Sequence, residues 1–350
     1  MKAVQVVEPG EIAIIQKEKP KITRENEVLI KVKMVGICGS DMHIYHGTNP
    51  LATLPRIIGH EITGEIEEVG ENIRNLSIGD KVVIEPIVTC GQCYACRSGR
   101  KNVCNELEVY GVHRDGGMQE YLVVPEHLVH KVNQTMDWIE SVLVEPFTIG
   151  AQANWRGNVQ DRDVVLIIGA GPIGICCLKV AKSKGATCII SDLSKDRLDY
   201  ARLCGADFTI DASTTNLKEE VMRMTNNEGA NVVIDAVCIP QTFEDAIEVS
   251  SVAGRIVTLG FDIRSSKISQ LPITKKELTI NGSRLQTNQF PEVIKLFNKK
   301  LIQTDGMVTQ QFPLEEIDQA IALIENHPNQ VRKVVISLNN VKDSDLFQER

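Results

Sequence analysis

Through about residue 137, apolar and polar positions alternate in short runs. Glu27–Val35 (EVLIKVKMV), Glu61–Val69 (EITGEIEEV) and Lys81–Glu85 read as strands, each bounded by Gly, Pro, Asn or Asp. No long helical period occurs before about Trp138. This profile predicts a small, irregular β-barrel. Over Ile139–Arg156 the period lengthens to that of a helix. Short continuous apolar runs then alternate with helical stretches. Strands are expected at Asp163–Ile168, Thr187–Ser191, Phe208–Ile210, Val232–Asp235 and Arg255–Leu259. Helices are expected within Gly169–Gly185 and at Lys195–Cys204, Leu217–Thr225 and Thr242–Ser250. Such alternation predicts an α/β class with a doubly wound parallel sheet. After about Phe290 come two helical segments, Pro291–Lys299 and Leu314–Asn326, and a last strand, Lys333–Leu338. The polar tail Asn339–Arg350 is expected to be loose.

A chain of 350 residues is long enough for two domains with their own cores. The net charge of -8 offers no basic field to a nucleic acid or an anionic membrane. A small molecule is therefore the expected partner, and an anionic one needs a local Arg or Lys. No apolar run approaches the ~20 residues of a membrane span. The opening MKAVQVVEPGEIAIIQKEK lacks the apolar core and cleavage site of a secretory leader. With ten Cys and no leader, a reducing, cytoplasmic setting is expected.

Cys90, Cys93, Cys96 and Cys104 stand in the spacing C-x2-C-x2-C-x7-C, with Gly91, Ser98 and Gly99 between them. Four thiolates so close in sequence can surround one Zn²⁺ as a closed, structural site. Two disulfides and an iron–sulfur cluster are the alternatives. The missing leader argues against the first. The second lacks the Pro that follows the last Cys in the bacterial ferredoxin run.

Gly169-Ala170-Gly171-Pro172-Ile173-Gly174 is a G-x-G-x-x-G after an apolar strand and before a helix. In that context it reads as a dinucleotide turn. Gly169 allows the tight turn, Gly171 the approach of pyrophosphate, and Gly174 close helix–strand packing. Pro172 and Ile173 open the helix, whose N–H groups face the phosphates. Eighteen residues after Gly174, Asp192 ends the next strand. A carboxylate there accepts from ribose hydroxyls and repels a 2′-phosphate, so NAD is favoured over NADP. Arg197 tempers this reading: it can cover the adenine or tolerate a phosphate.

Cys38 lies in VGICGSDMH, His60-Glu61 in IIGHE and Glu145 in LVEPF. All are Zn²⁺ ligand types, and three protein ligands plus a water make a catalytic site. Singly, each is a poor signal. A lone Cys is more often core and a lone Glu more often solvated.

As a set, CGSDMH, GHE, GEIEEVG, GDKVVIEP, the four-Cys lobe, DGGMQEY, VEPF and GAGPIG, in that order, resemble the zinc-dependent medium-chain alcohol and polyol dehydrogenases of the sorbitol and threonine branch. The resemblance covers nearly the whole chain. It implies a GroES-like catalytic domain over 1–150 and 288–350, with a zinc lobe at about 88–106. It implies a Rossmann NAD domain over 151–287, an active site in the cleft between them, two zinc ions per chain, and a homodimer or homotetramer. Cys38 and His60 would ligate the catalytic zinc, Glu61 would do so in some states, and Glu145 would bind directly or through water. Ser40 would relay the substrate proton, and His43 would pass it on through the nicotinamide ribose.

Two departures bear on the substrate. Phe147 stands where the family usually has Leu, and the third zinc position is Glu145 rather than Cys. Gly111–Gly117 (GVHRDGG) and Gly282-Ser283-Arg284 resemble a bacterial subgroup acting on sugar acids, the hexonate 5-dehydrogenases such as L-galactonate 5-dehydrogenase. Arg284 would then hold a carboxylate by a two-point contact, unless it serves a surface or interdomain salt bridge. His113, Arg114 and His46 are further pocket candidates. The expected reaction is hydride transfer from a secondary hydroxyl to NAD, with a hexonate such as L-galactonate or L-gulonate oxidised at C5. Sorbitol, xylitol, butanediol and L-threonine stay open as substrates. A catalytically silent sensor with the same fold is the reading from another class. It predicts damage to the zinc or relay residues, all of which are present. Cys176, Cys177, Cys188, Cys204 and Cys238 read as buried apolar fillers.

Overall fold

The computed structural model describes residues 1–338, so the tail expected to be loose lies outside the described residues. Two compact units are present. One is Met1–Glu145 with the described chain from Gln303 onward, and the other is Pro146–Ile302. By packing, the chain passes between the units at 145/146 and 302/303. Phe147 and Phe297 meet edge-to-face with ring centroids 5.1 Å apart, and both are fully buried in the second unit.

In the first unit, the strand Glu27–Ile37 is the spine. The sheet runs in the order Val129–Lys131, Lys81–Ile84, Glu61–Val69, Glu27–Ile37, Lys333–Ser337, Val308–Pro313, and Tyr121–Pro125 also pairs with the spine. The expected strands at 27, 61, 81 and 333 are all present. Val308–Pro313 had no signal, because Thr309, Gln310 and Gln311 interrupt any alternation. It pairs parallel to Lys333–Ser337. Gly36 on the spine faces Glu61 on one neighbour and Val335 on the other.

The second unit holds a six-stranded parallel sheet. Its order is Phe208–Asp211, Thr187–Asp192, Val164–Ile168, Ala230–Asp235, Ser250–Thr258, Thr279–Gly282. Leu166, Ile189, Val233 and Ile256 form the centre of its core, as near-continuous apolar strands of a parallel sheet should. The helix Gln270–Lys276 escaped the pattern because none of its residues is buried. Lys276 Nζ donates to the carbonyls of Ile247, Glu248 and Ser250 at 3.0, 2.7 and 2.8 Å. It thereby satisfies helix-end groups that have no partner within the helix.

Cys176, Cys177, Cys188 and Cys204 are buried as expected, but Cys238 is not an inert filler. It turns the chain at φ 59°, and its Sγ lies 2.8 Å from Asp235 O and accepts from Leu259 N–H at 3.2 Å.

Phe147 is likewise a core residue, so its departure from Leu does not act on substrate choice. Phe147→Ala should destabilise the second unit by about 3–5 kcal/mol, while Phe147→Leu should cost far less. Denaturant unfolding measures both. A loss below about 1 kcal/mol for the alanine variant would contradict this packing account.

Candidate active site and metal centres

The four-Cys lobe is preformed. Sγ separations are 3.4 Å for Cys90–Cys104, 3.6 Å for Cys93–Cys96 and 3.9 Å for Cys93–Cys104. A tetrahedron with ~2.3 Å Zn–S bonds has edges of about 3.8 Å, whereas a disulfide needs about 2.05 Å. Backbone N–H groups of Cys90 and Glu106 donate to Cys104 Sγ, each at 3.3 Å. Backbone N–H groups of Asn105 and Cys96 draw the Cys93 thiol down to about 6. Burial and the neighbouring thiols push Cys96 up to about 11, so it is the unbridged spacing of the four sulfurs that suits a metal ion. Gly91 and Gly99, at φ 74° and 71°, let the loop close around that point.

A second group gathers in the same unit. Ligand atoms of Cys38, His60 and Glu61 all lie within 4.8 Å of one another. Cys38 directly follows the spine and is the N-cap of the helix Gly39–Tyr45, while His60 directly precedes and Glu61 begins the neighbouring strand. Strand pairing therefore brings them together. Glu145 stands outside this trio of mutual distances. It is buried, and burial pushes its carboxyl up to about 7, with His60 opposing the rise and Glu61 adding to it. Ser40 and His43 sit three apart on the helix that Cys38 caps, hence on one face.

Two residues that sequence reasoning passed over support the trio. Asp41 is completely buried. It accepts from the backbone N–H of Cys38 at 2.8 Å and of Gly59 at 3.1 Å, so it joins both ligand segments. Its Oδ1 lies 3.5 Å from His60 Nδ1, an ion-pair distance, and that ring nitrogen is buried with no hydrogen-bond partner. Burial opposes a charged His60, but Asp41 and Cys38 outweigh it and raise the imidazole well above its usual value. Asp41 was inside the quoted CGSDMH, unassigned. Lys333 is the other. Its Nζ donates to Glu61 Oε1 at 2.6 Å and to Ile37 O at 3.2 Å, and both charged side chains are almost fully buried. A lone lysine opening the buried run KVVIS was the available signal. Glu61 Oε2 is buried with no hydrogen-bond partner. A buried carboxylate oxygen left over beside a thiol and an imidazole fits a metal ion well.

The dinucleotide turn has the expected form. Gly169 adopts φ 100°, and a Cβ at Gly174 would overlap the Gly169 carbonyl. Gly171 caps the helix Pro172–Ser183 and has open space where a side chain would stand. Ile173 lies in the first turn of that helix. Asp192 accepts from Ala170 N–H at 2.7 Å and Ser194 N–H at 2.9 Å, which fixes its carboxylate at the mouth of the turn. Arg197 is 3.9 Å away from it.

The further substrate candidates are dispersed. His46 pairs with Glu325 at 3.1 Å, and Arg114 pairs with Glu108. His113 Nδ1 accepts from Val109 N–H at 3.1 Å, so its imidazole secures the loop. Asp115 binds Lys17 and Arg56. The HRDGG segment thus braces the backbone around Gly59, where Gly117 N–H donates to Gly59 O at 2.8 Å. Arg284 lies in the second unit with its guanidinium 6.0 Å from the Phe261 ring. Its loop holds Leu285 and Asn288 at φ 48° and 56°, a strained arrangement typical of functional segments.

Residues 24–134 match the alcohol dehydrogenase GroES-like domain, and residues 172–299 match the zinc-binding dehydrogenase domain. The chain is 40% identical to the starvation-sensing protein RspB of Escherichia coli K12 over 97% of its own length and 100% of that relative's. It is 36% identical to the L-galactonate-5-dehydrogenase of the same strain, over 87% of this chain and 90% of the relative. A solved structure of a short chain alcohol dehydrogenase (rspB) from E. coli CFT073, complexed with the cofactor NADH, has a TM-score of 0.92 and 39% identity. It covers 97% of this chain and 99% of that one.

Removing Lys333 leaves Glu61 buried with an uncompensated charge. Lys333→Met should therefore destabilise the first unit by about 3–5 kcal/mol, and adding Glu61→Gln should restore a large part of the loss. Unfolding of the single and double variants measures the coupling. Strictly additive losses would show that the pair does not act as one.

Proposed function

The chain belongs to the zinc-dependent medium-chain alcohol dehydrogenases, and on that premise we propose that it oxidises a secondary hydroxyl of a sugar acid with NAD. The substrate class is a hexonate, such as L-galactonate or L-gulonate, oxidised at C5. The observation that carries the dehydrogenase chemistry is the Cys38–His60–Glu61 trio with its unpartnered Glu61 oxygen. Cys38 and His60 hold the catalytic zinc, with Glu61 and Glu145 as its carboxylate partners. The four Cys of the lobe hold a structural zinc.

When bound, the zinc supplies Lewis acidity that makes the substrate hydroxyl more acidic, and the nicotinamide supplies the hydride acceptor. Ser40 accepts the hydroxyl proton's hydrogen bond and passes the proton toward His43. His43 is exposed, which suits release of that proton to solvent. Asp41 keeps His60 oriented, and Lys333 holds Glu61 in place through the 2.6 Å contact to its Oε1. Gly169, Gly171 and Gly174 shape the turn for the pyrophosphate, and Asp192 meets the adenine-ribose hydroxyls. Arg284 binds the substrate carboxylate. The hexonate assignment is supported by the GSR loop, by its strained backbone, and by the similarity to an L-galactonate-5-dehydrogenase.

A panel of hexonates and neutral polyols, read by NADH formation, tests the reading. A hexonate should be the best substrate, with NAD preferred to NADP. Arg284→Ala should lower kcat/KM on the acid by about ten- to a hundredfold, and much less on a neutral polyol of the same stereochemistry. Equal losses on both would remove the carboxylate role. A wild-type preference for sorbitol or threonine over every hexonate would overturn the substrate class.

A further inference from the structure

The contact around His43 has a chemical consequence for the proton relay proposed above, and the inference rests on that role. His43 Nδ1 lies 3.0 Å from Thr48 Oγ1. The same hydroxyl oxygen lies 3.2 Å from the backbone carbonyl oxygen of His43. A carbonyl oxygen only accepts, so the single hydroxyl hydrogen of Thr48 serves that contact. With the hydroxyl hydrogen on that carbonyl, a lone pair of Oγ1 faces the ring and Nδ1 carries the hydrogen between them. The neutral imidazole is left with a bare Nε2 at its far end.

The frame around this contact does not depend on the imidazole. Thr48 N–H and Asn49 N–H both donate to the His43 carbonyl, at 2.9 and 3.1 Å. Gly47 N–H donates to Ile44 O at 3.0 Å, and Gly10 N–H donates to Tyr45 O at 2.7 Å. Gly47 turns the chain at φ 67°, where a side chain would strike Pro9. Backbone bonds thus set the place of Thr48, and Thr48 sets the ring. Both side chains are exposed, so neither is there to fill a core.

We propose that Thr48 is a positioning residue for the relay, fixing His43 as the Nδ1–H tautomer so that Nε2 is the atom that takes up the substrate proton. A base whose lone pair is aimed in advance loses no turnovers to the wrong tautomer or to ring rotation. Nothing in the zinc or cofactor chemistry requires a hydroxyl at this position, so the effect is separable from metal and cofactor binding.

The test uses full-length, zinc-loaded enzyme with ¹⁵N-labelled histidine. Long-range ¹H–¹⁵N correlation spectra report which ring nitrogen is protonated, and His43→Asn identifies the His43 signal among the seven histidines. Wild type should show Nδ1 protonated and Nε2 bare. Thr48→Ala should lose that preference and lower kcat by about three- to tenfold, with KM for NAD and for the best substrate of the panel within about twofold. Thr48→Ser should restore both the spectrum and kcat. A wild-type His43 protonated at Nε2, an alanine variant with unchanged kcat, or a lowered kcat with an unchanged tautomer would each overturn the proposal. The relay reading fails separately: His43→Asn would then keep full kcat, whatever the tautomer of wild-type His43.

Discussion

A glutamate and a lysine, buried together beside Cys38 and His60, tie the strands of the first unit to one another. Glu61 and Lys333 come from strands 272 positions apart in sequence, and the spine strand lies between them. Two charges out of water are tolerable only as a close, well-bonded pair. Gly36 makes the pairing possible. It stands directly opposite Glu61, and any Cβ there would overlap the Glu61 carboxylate. The last described strand, between the spine and Val308–Pro313, therefore does more than extend the sheet. It delivers the ammonium that pairs with the residue next to His60 at 2.6 Å.

The same pair explains why the site calls for a cation. Asp41, Glu61 and Glu145 are all buried within reach of one another's fields, and Lys333 is the ammonium that acts on them. Glu145 responds by resisting ionisation up to about 7. A divalent ion between Cys38, His60 and Glu61 would restore the balance and give the spare Glu61 oxygen a partner. The four-Cys lobe differs in kind. Its four thiols are neighbours in sequence and all one residue type, with no carboxylate among them.

What the sequence could reveal follows from that contrast. The lobe is local, so its spacing alone pointed to a closed metal site. The dinucleotide turn is local too: Gly169 takes φ 100°, and a Cβ at Gly174 would overlap the Gly169 carbonyl. The open trio is assembled by strand pairing, and only a resemblance across the whole chain could group Cys38 with His60 and Glu61. Asp41 and Lys333 were harder still. Each acts on a ligand rather than as one, and a buried lysine 272 positions away carries no spacing signal. Phe147 misled because a difference from the family norm invites a functional reading, while its ring fills a core against Phe297. Cys238 misled in the other direction, since an apolar neighbourhood hid a turn residue. The substrate candidates His46 and Arg114 proved to have acidic partners of their own, which sequence cannot foresee for surface charges.

Anomalous diffraction from crystals of the zinc-loaded protein, recorded on either side of the zinc absorption edge, tests the central claim most directly. Two peaks per chain should appear. One should lie among the sulfurs of Cys90, Cys93, Cys96 and Cys104, and the other within bonding distance of Cys38 Sγ and a ring nitrogen of His60. A single peak in the lobe, with Glu61 still paired to Lys333 and no zinc beside Cys38, would contradict the account of the open site as a metal centre.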